Sequence, residues 1–282
     1  MVEVVITALR PKALEVEFIG SSASQVNAVR RSLLSDVPKL AIEDVEFHLG
    51  PIRDEVSGKD YDSSTSMFDE AVALRLGLLP IPTDLGQFRK TSECTCNGAG
   101  CTHCQMMFSV DKKGPCTVYA KDVVPLGDDS MAILEPEIPI VRLGARQALL
   151  AYATAKVGTA REHAKWQVAH AVGVSPRPHI KIHRNQGCTD ACLKRAGAAC
   201  PVNILEYSSG KLNVTDETQC ILCWACEKSC EHGSVKVEPD TERFFLSFET
   251  DGSLTARESL RYALKDLKRR FEELREGVQA LP

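Results

Sequence analysis

The sequence predicts an α+β fold in which one split domain brackets two insertions. Three observations carry this. Residues 21–47 read as a capped amphipathic helix followed at once by a strand. Residues 243–274 repeat strand, turn and helix at the other end of the chain. Every cysteine except Cys116 falls into one of two groups in the interior between them.

Taken in order, residues 2–8 and 13–19 read as two strands around Arg10-Pro11-Lys12. Leu14, Val16 and Phe18 alternate with Glu15 and Glu17, which predicts one buried and one wet face. In the next segment Val26, Val29, Leu33 and Val37 recur at helical spacing, with Ala28 and Leu34 beside them. Arg30, Arg31 and Asp36 lie off that stripe. Ser22 and Gln25 fit a capping box at the helix start. Pro38 ends the helix, because proline disfavours helical backbone at the residue before it. A strand over 40–47 follows.

Residues 48–65 are polar, with Gly50, Pro51 and Gly58, and predict a loop. Residues 66–84 predict a short helix stopped by Pro80 and Pro82. Asp69 and Glu70 near its start suit the helix dipole. Adjacent carboxylates point different ways on a helix, so they read as a solvated first turn and not a catalytic pair.

Cys94, Cys96, Cys101 and Cys104 lie within the run CTCNGAGCTHC. Four thiolates at this spacing can close a tetrahedron round zinc, and a closed shell of that kind is structural because no position is left for substrate. Asn97, Gly98 and Gly100 permit the tight turn. The alternative is four reduced free thiols. Cys116 sits in a strand-like run and reads as a core residue. The alanine-rich stretch 143–157 predicts a helix. His163, Trp166 and His170 read as packing or surface residues. HIKIH at 179–183 alternates like a strand, with His179 and His183 facing solvent.

Cys220, Cys223, Cys226 and Cys230 follow the CxxCxxCxxxC spacing of bacterial-type iron–sulfur proteins. There the first three thiolates hold one cluster, and the fourth serves another. Cys200-Pro201 supplies the missing ligand, so Cys200, Cys220, Cys223 and Cys226 predict a [4Fe–4S] shell. Cys188, Cys192 and Cys230 are left as three thiolates, because the spacing of the first two departs from the pattern. They allow a second [3Fe–4S] cluster, a [4Fe–4S] cluster with a non-cysteine ligand, a disulfide, or an empty site. Residues 243–250 then read as a strand, Asp251-Gly252 as a turn, and Thr255 with Glu258 as a second capping box. Leu260, Leu264, Leu267, Phe271 and Leu274 form one stripe of a long helix. The expected domains are 1–47 with 240–282, an inserted mixed domain over 48–174 carrying the zinc-type loop, and a ferredoxin-like iron–sulfur domain over 175–239. The plainer alternative is two unrelated amphipathic helices, each packed locally.

Composition bounds the function. At 282 residues the chain is long enough for two or three domains. A net charge of −4 argues against a protein whose main task is gripping phosphate backbones. The opening MVEVVITALR has no basic stretch leading into a sustained apolar run, so no secretory signal is expected. No apolar run reaches the ~20 residues of a membrane span. A cytoplasmic protein is expected, and in that compartment cysteine clusters bind metal more often than they form disulfides.

NAVRRSLLSDVPKLAIEDVEF, DEAVALRLGLLPIPTD, GTAREHAKW and FETDGSLTARESLRYALKDL resemble, in that order, the D-subunit family of archaeal DNA-directed RNA polymerases. These are relatives of the bacterial alpha subunit's amino-terminal domain and of the eukaryotic third-largest subunit. The CxC…CxxC element resembles the zinc loop of the eukaryotic relative, and the ferredoxin-like insertion resembles the archaeal branch. The resemblance implies a non-catalytic subunit whose split dimerisation domain forms a heterodimer with subunit L. With subunits N and P, that pair is the platform on which the large B subunit assembles. The catalytic magnesium would lie in the large subunits, so no catalytic contact with nucleic acid is expected here. By the same resemblance Val26, Val29, Leu33, Leu260, Leu264, Leu267 and Phe271 line the domain core and the joint. The rival reading is a ferredoxin-like electron-transfer protein on a protein-binding scaffold.

Overall fold

A computed structural model describes residues 2–54 and 58–281. The chain runs β1 (Glu3–Arg10), β2 (Ala13–Ile19), α1 (Ala23–Ser35), β3 (Lys39–Phe47), β4 (Pro51–Arg53), β5 (Asp60–Asp62) and α2 (Asp69–Gly77). It continues β6 (Gln105–Lys113), β7 (Cys116–Tyr119), β8 (Val124–Pro125), β9 (Pro139–Leu143), β10 (Ala148–Gly158) and β11 (Ala169–Ile182). The last elements are α3 (Asp190–Ala198), β12 (Leu205–Ser208), β13 (Lys211–Val214), α4 (Ala225–Lys228), β14 (Val235–Thr250) and α5 (Ala256–Gln279). No helix among the described residues is long and apolar enough to cross a membrane.

Two compact units result. One comprises residues up to Thr7, Glu15–Ala28 and Gly173–Ser247; the other Ala8–Leu14, Val29–Val172 and the chain from Phe248 onward. The four-stranded sheet β1-β2-β14-β11 lies mostly in the first. β2 thus pairs with the strand that precedes α5. Its alternation fails at one place. Glu17 is buried, because its carboxylate accepts from Arg177 Nη1 at 2.8 Å and Arg243 Nε at 3.0 Å. A carboxylate shared by two guanidiniums tolerates burial that an isolated one would not.

The second unit is built on the sheet β3-β10-β6-β8. Here the predicted helix over 143–157 is wrong: the segment is the end of β9 and most of β10. Its alanines alternate instead of following a helical period. Ala151, Ala153 and Ala155 are buried on one face, and Ala151 and Ala153 lie opposite Val110 and Phe108 of β6. Small side chains there leave room for Phe108 and for Leu76 and Val72 of α2 in the same core. Neighbour packing outweighs alanine's intrinsic helix preference. The predicted loop over 48–65 contains the β4–β5 hairpin; residues 55–57 of that loop lie outside the described set. Cys116 is half-buried against this core, as expected.

Both capping boxes form. Ser22 N donates to Gln25 Oε1 at 2.9 Å, and Thr255 and Glu258 exchange reciprocal bonds at the start of α5. α1 stops before Pro38, and the turn buries Asp36. Asp36 receives Arg161 Nε and Arg270 Nη1, the latter at 3.0 Å. Arg270 also reaches Asp266 Oδ2 at 2.6 Å, and Arg269 reaches Asp266 Oδ1 at 2.5 Å.

Burial alone would raise the Asp36 pKa. The bonds from Arg161 and Ser35 and the charge of Arg270 outweigh it and hold the carboxyl below its ordinary range. A depressed carboxylate adds stability above its unfolded pKa of about 3.9, lost as pH falls through the lower folded value. Asp36→Asn is expected to cost about 1–3 kcal/mol at pH 7. It should also make the stability curve below about pH 4 less steep. Urea titrations across that range check this; an unchanged acid slope would contradict it.

Candidate metal centres and an uncovered helix face

The first cysteine group sits on a turn preceding β6. Asn97, Gly98 and Gly100 all take positive φ, at 50°, 86° and 84°, so the backbone folds back and aims its thiols inward. Cys94 and Cys101 sulfurs are 3.5 Å apart, Cys96 and Cys104 3.6 Å, Cys101 and Cys104 3.9 Å. A regular tetrahedron of Zn–S bonds near 2.3 Å has edges of about 3.8 Å. The four sulfurs all lie within 4.8 Å of one another and match that geometry. A hydrogen bond from Cys94 brings Cys96 down to about 6. Burial pushes Cys104 up to about 12.

The second set is arranged differently. Cys200 and Cys226 are buried, Cys220 is half-buried and Cys223 is exposed. Each of Cys220 and Cys226 is raised first by burial, then by the charges of neighbouring cysteines of the same set. Among the described residues these four do not gather within 4.8 Å as the first group does. Leu222 and Trp224 adopt left-handed backbone at φ 54° and 55°. Such strain at non-glycine residues is costly and clusters at functional sites. Trp224 Nε1 anchors the loop by donating to the Val237 carbonyl at 3.0 Å. Five of the twelve buried residues that cluster around these loops are cysteines, so little apolar surface remains to hold the loops without them.

Cys188, Cys192 and Cys230 form a third group, buried and within 4.8 Å of one another. His179, predicted to face solvent, is half-buried and 3.0 Å from Asp240 Oδ2. A carboxylate on the neighbouring strand, invisible to alternation, accounts for the difference.

Of the residues predicted for the core and joint, Val26, Val29, Leu33 and Leu260 are buried within this chain. Leu267 is half-buried, and Leu264 and Phe271 are exposed. Leu274 and Val278 extend the exposed stripe. The predicted stripe ends at Leu274 and misses Val278, which lies one turn further on. From residue 271 to 281 every residue of the helix and its end is exposed, yet the apolar period continues. A lone helix gains nothing from such a stripe in water.

An α+β scaffold with two cysteine groups close enough to hold a metal ion, and an apolar face of its last helix left open, is the class these features define. Similarity to known proteins makes it specific. The RNA polymerase Rpb3/Rpb11 dimerisation domain matches residues 15–271. The chain is 42% identical over 281 residues to DNA-directed RNA polymerase subunit Rpo3 of Thermoplasma volcanium, covering 98% of this chain and 99% of that one. It is 39% identical over 273 residues to the Rpo3 subunit of Picrophilus torridus, covering 97% and 98%. With that of Methanosarcina acetivorans the identity is 33% over 275 residues, covering 96% of each. The chain belongs to the RNA polymerase Rpb3/Rpb11 dimerisation-domain family.

The thiol chemistry gives a direct check on the first group. In the metal-free chain at pH 7, iodoacetamide should alkylate Cys96 at least ~100-fold faster than Cys104, since the thiolate is the nucleophile. Peptide mass spectrometry over a time course reads this. Equal rates would mean that the loop does not hold its thiols in this arrangement.

Proposed function

We propose that this chain is a non-catalytic assembly subunit of an archaeal DNA-directed RNA polymerase, acting in the cytoplasm. The observation that carries the reading is the α5 stripe Leu264, Phe271, Leu274 and Val278, left exposed in a family named for dimerisation. Its partner is subunit L, which covers the stripe with its own helices. The dimerisation domain is the split one of residues 1–47 and 240–282, with α1 supplying the core beneath and α5 the joint. The heterodimer, with subunits N and P, is the platform for the large B subunit. Obligate interfaces of this kind bury about 2,000 Å² or more.

The metal centres are structural in this reading. Cys94, Cys96, Cys101 and Cys104 hold zinc, supported by sulfur spacings that fit one ion. Cys200, Cys220, Cys223 and Cys226 hold a [4Fe–4S] cluster. Their wider separation suits it, since each thiolate of a cubane binds its own iron at a separate corner. The cluster holds a segment whose core is otherwise too small to order itself. Loss of the cluster by oxidation would loosen that segment, which is how redox state would reach assembly.

Phe271→Asp separates pairing from folding, because the residue is 63% exposed in the chain alone. Leu33→Asp does not, because Leu33 is buried in this chain's own core. Expressed without oxygen alongside subunit L, the wild-type chain should copurify with L and with about four irons. Phe271→Asp should keep its circular dichroism and weaken pairing by about 30-fold or more, as for an interface hot spot. Pairing as tight as wild type would sink the assembly reading. A wild-type chain that ignores L yet reduces and reoxidises reversibly would establish the electron carrier instead.

A further inference from the structure

Cys188 and Cys192 lie either side of Thr189, whose side chain caps α3 by accepting from Cys192 N. Cys230 follows α4, and its sulfur accepts from Ser234 N at 3.2 Å. All three cysteines are buried and their sulfurs mutually within 4.8 Å. Cys192 and Cys230 sulfurs are 3.6 Å apart. That is close to the ~3.8 Å edge of a thiolate tetrahedron round one zinc ion. In a cubane, neighbouring thiolates bind separate irons and point outward from different corners, so they stand further apart. A disulfide requires an S–S distance near ~2.05 Å and uses only two of the three sulfurs.

We infer that Cys188, Cys192 and Cys230 hold a single zinc ion, with His232 as the fourth ligand. His232 lies two residues after Cys230, and its ring rests against Gly187, the neighbour of Cys188. A Cβ at Gly187 would stand 3.2 Å from Cε1 and 3.3 Å from Nδ1 of that ring, and Gly187 takes φ +84°. Glycine leaves room for the imidazole against the loop that carries Cys188. Asn185 Nδ2 donates to the carbonyls of His232 and Gly233 at 2.9 and 3.1 Å, which ties the two ligand-bearing loops together. The ring nitrogens of His232 do not lie within 4.8 Å of all three sulfurs, so binding would require this exposed side chain to turn onto the open ligand position.

Three thiolates on Zn²⁺ leave one net negative charge. Arg195, three residues after Cys192 on α3, supplies a positive charge to offset it, and its Nη2 donates to Glu231 Oε1 at 3.0 Å. A closed Cys3His shell has no position for substrate and is structural. It pins the start of α3 to the end of α4, a separate task from that of the Cys200 set.

The test uses the full chain made without oxygen, with Cys94, Cys96, Cys101 and Cys104 all changed to serine. That chain should retain about one zinc, whose X-ray absorption edge reports three sulfurs and one nitrogen. Cys192→Ser in the same background should lose the zinc. His232→Ala should lose the nitrogen scatterer and release zinc to a chelator at least ~10-fold faster. If the fourfold variant does not fold, the wild-type chain should hold about two zincs and Cys192→Ser about one. Roughly three or four irons that disappear with Cys192→Ser would overturn the inference in favour of a second cluster. A Cys192–Cys230 disulfide in chain alkylated under the same atmosphere, or no metal lost on Cys192→Ser, would also overturn it. An unchanged nitrogen count in His232→Ala would remove His232 from the ligand set.

Discussion

The course of α5 depends on two buried carboxylates. Asp36 and Asp266 sit against the guanidiniums of Arg161, Arg269 and Arg270. Arg270 bridges both acids, so it fixes the helix to the turn after α1 at a definite height. Up to Asp266 the helix buries Leu260 and Ala263 in its own unit; Leu267 is half-buried, and from Phe271 onward the stripe is exposed. Paired charges are an expensive way to gain stability, because desolvation offsets much of their attraction. What they supply here is geometry. An apolar contact would tolerate the helix sliding by a turn, whereas a bridged pair of acids does not. If α5 forms the proposed joint, presenting one face to another chain requires that fixed height.

The Cys94 and Cys188 groups share close sulfur spacing, and the Cys200 set does not. Sulfurs at tetrahedral-edge distances suit one ion; sulfurs held further apart on a loop with left-handed residues suit a larger group. The Cys200 set and the Cys188 group share one small core, so in the proposed reading metal binding there would also order that core. The zinc-type loop before β6 is a separate case, since it leads into a strand of a large apolar core that does not depend on it for burial.

The outer frame is legible in the sequence because its signals are local. The two capping boxes, the stop at Pro38, the Asp251-Gly252 turn and the apolar stripes are readable from residues a few positions apart. The motif spacings of the cysteines are equally plain. What stays hidden depends on distant neighbours. The alanine run over 143–157 reads as a helix because nothing local says that Phe108 will pack over it. Glu17 and Asp36 look like surface acids because their arginines are far away in sequence. His179 reads as solvent-facing because Asp240 cannot be placed beside it from alternation alone. The role of His232 is likewise unreadable, since it depends on the backbone of Gly187 lying against its ring.

Everything about the joint turns on whether another chain covers α5. Hydrogen exchange of the purified chain, with and without subunit L, measures this directly. Amides of residues 264–279 should exchange rapidly in the free chain and become strongly protected in the pair, while β10 stays protected in both. If L binds and the exchange of α5 does not change, the partner sits elsewhere and the exposed stripe is not the joint.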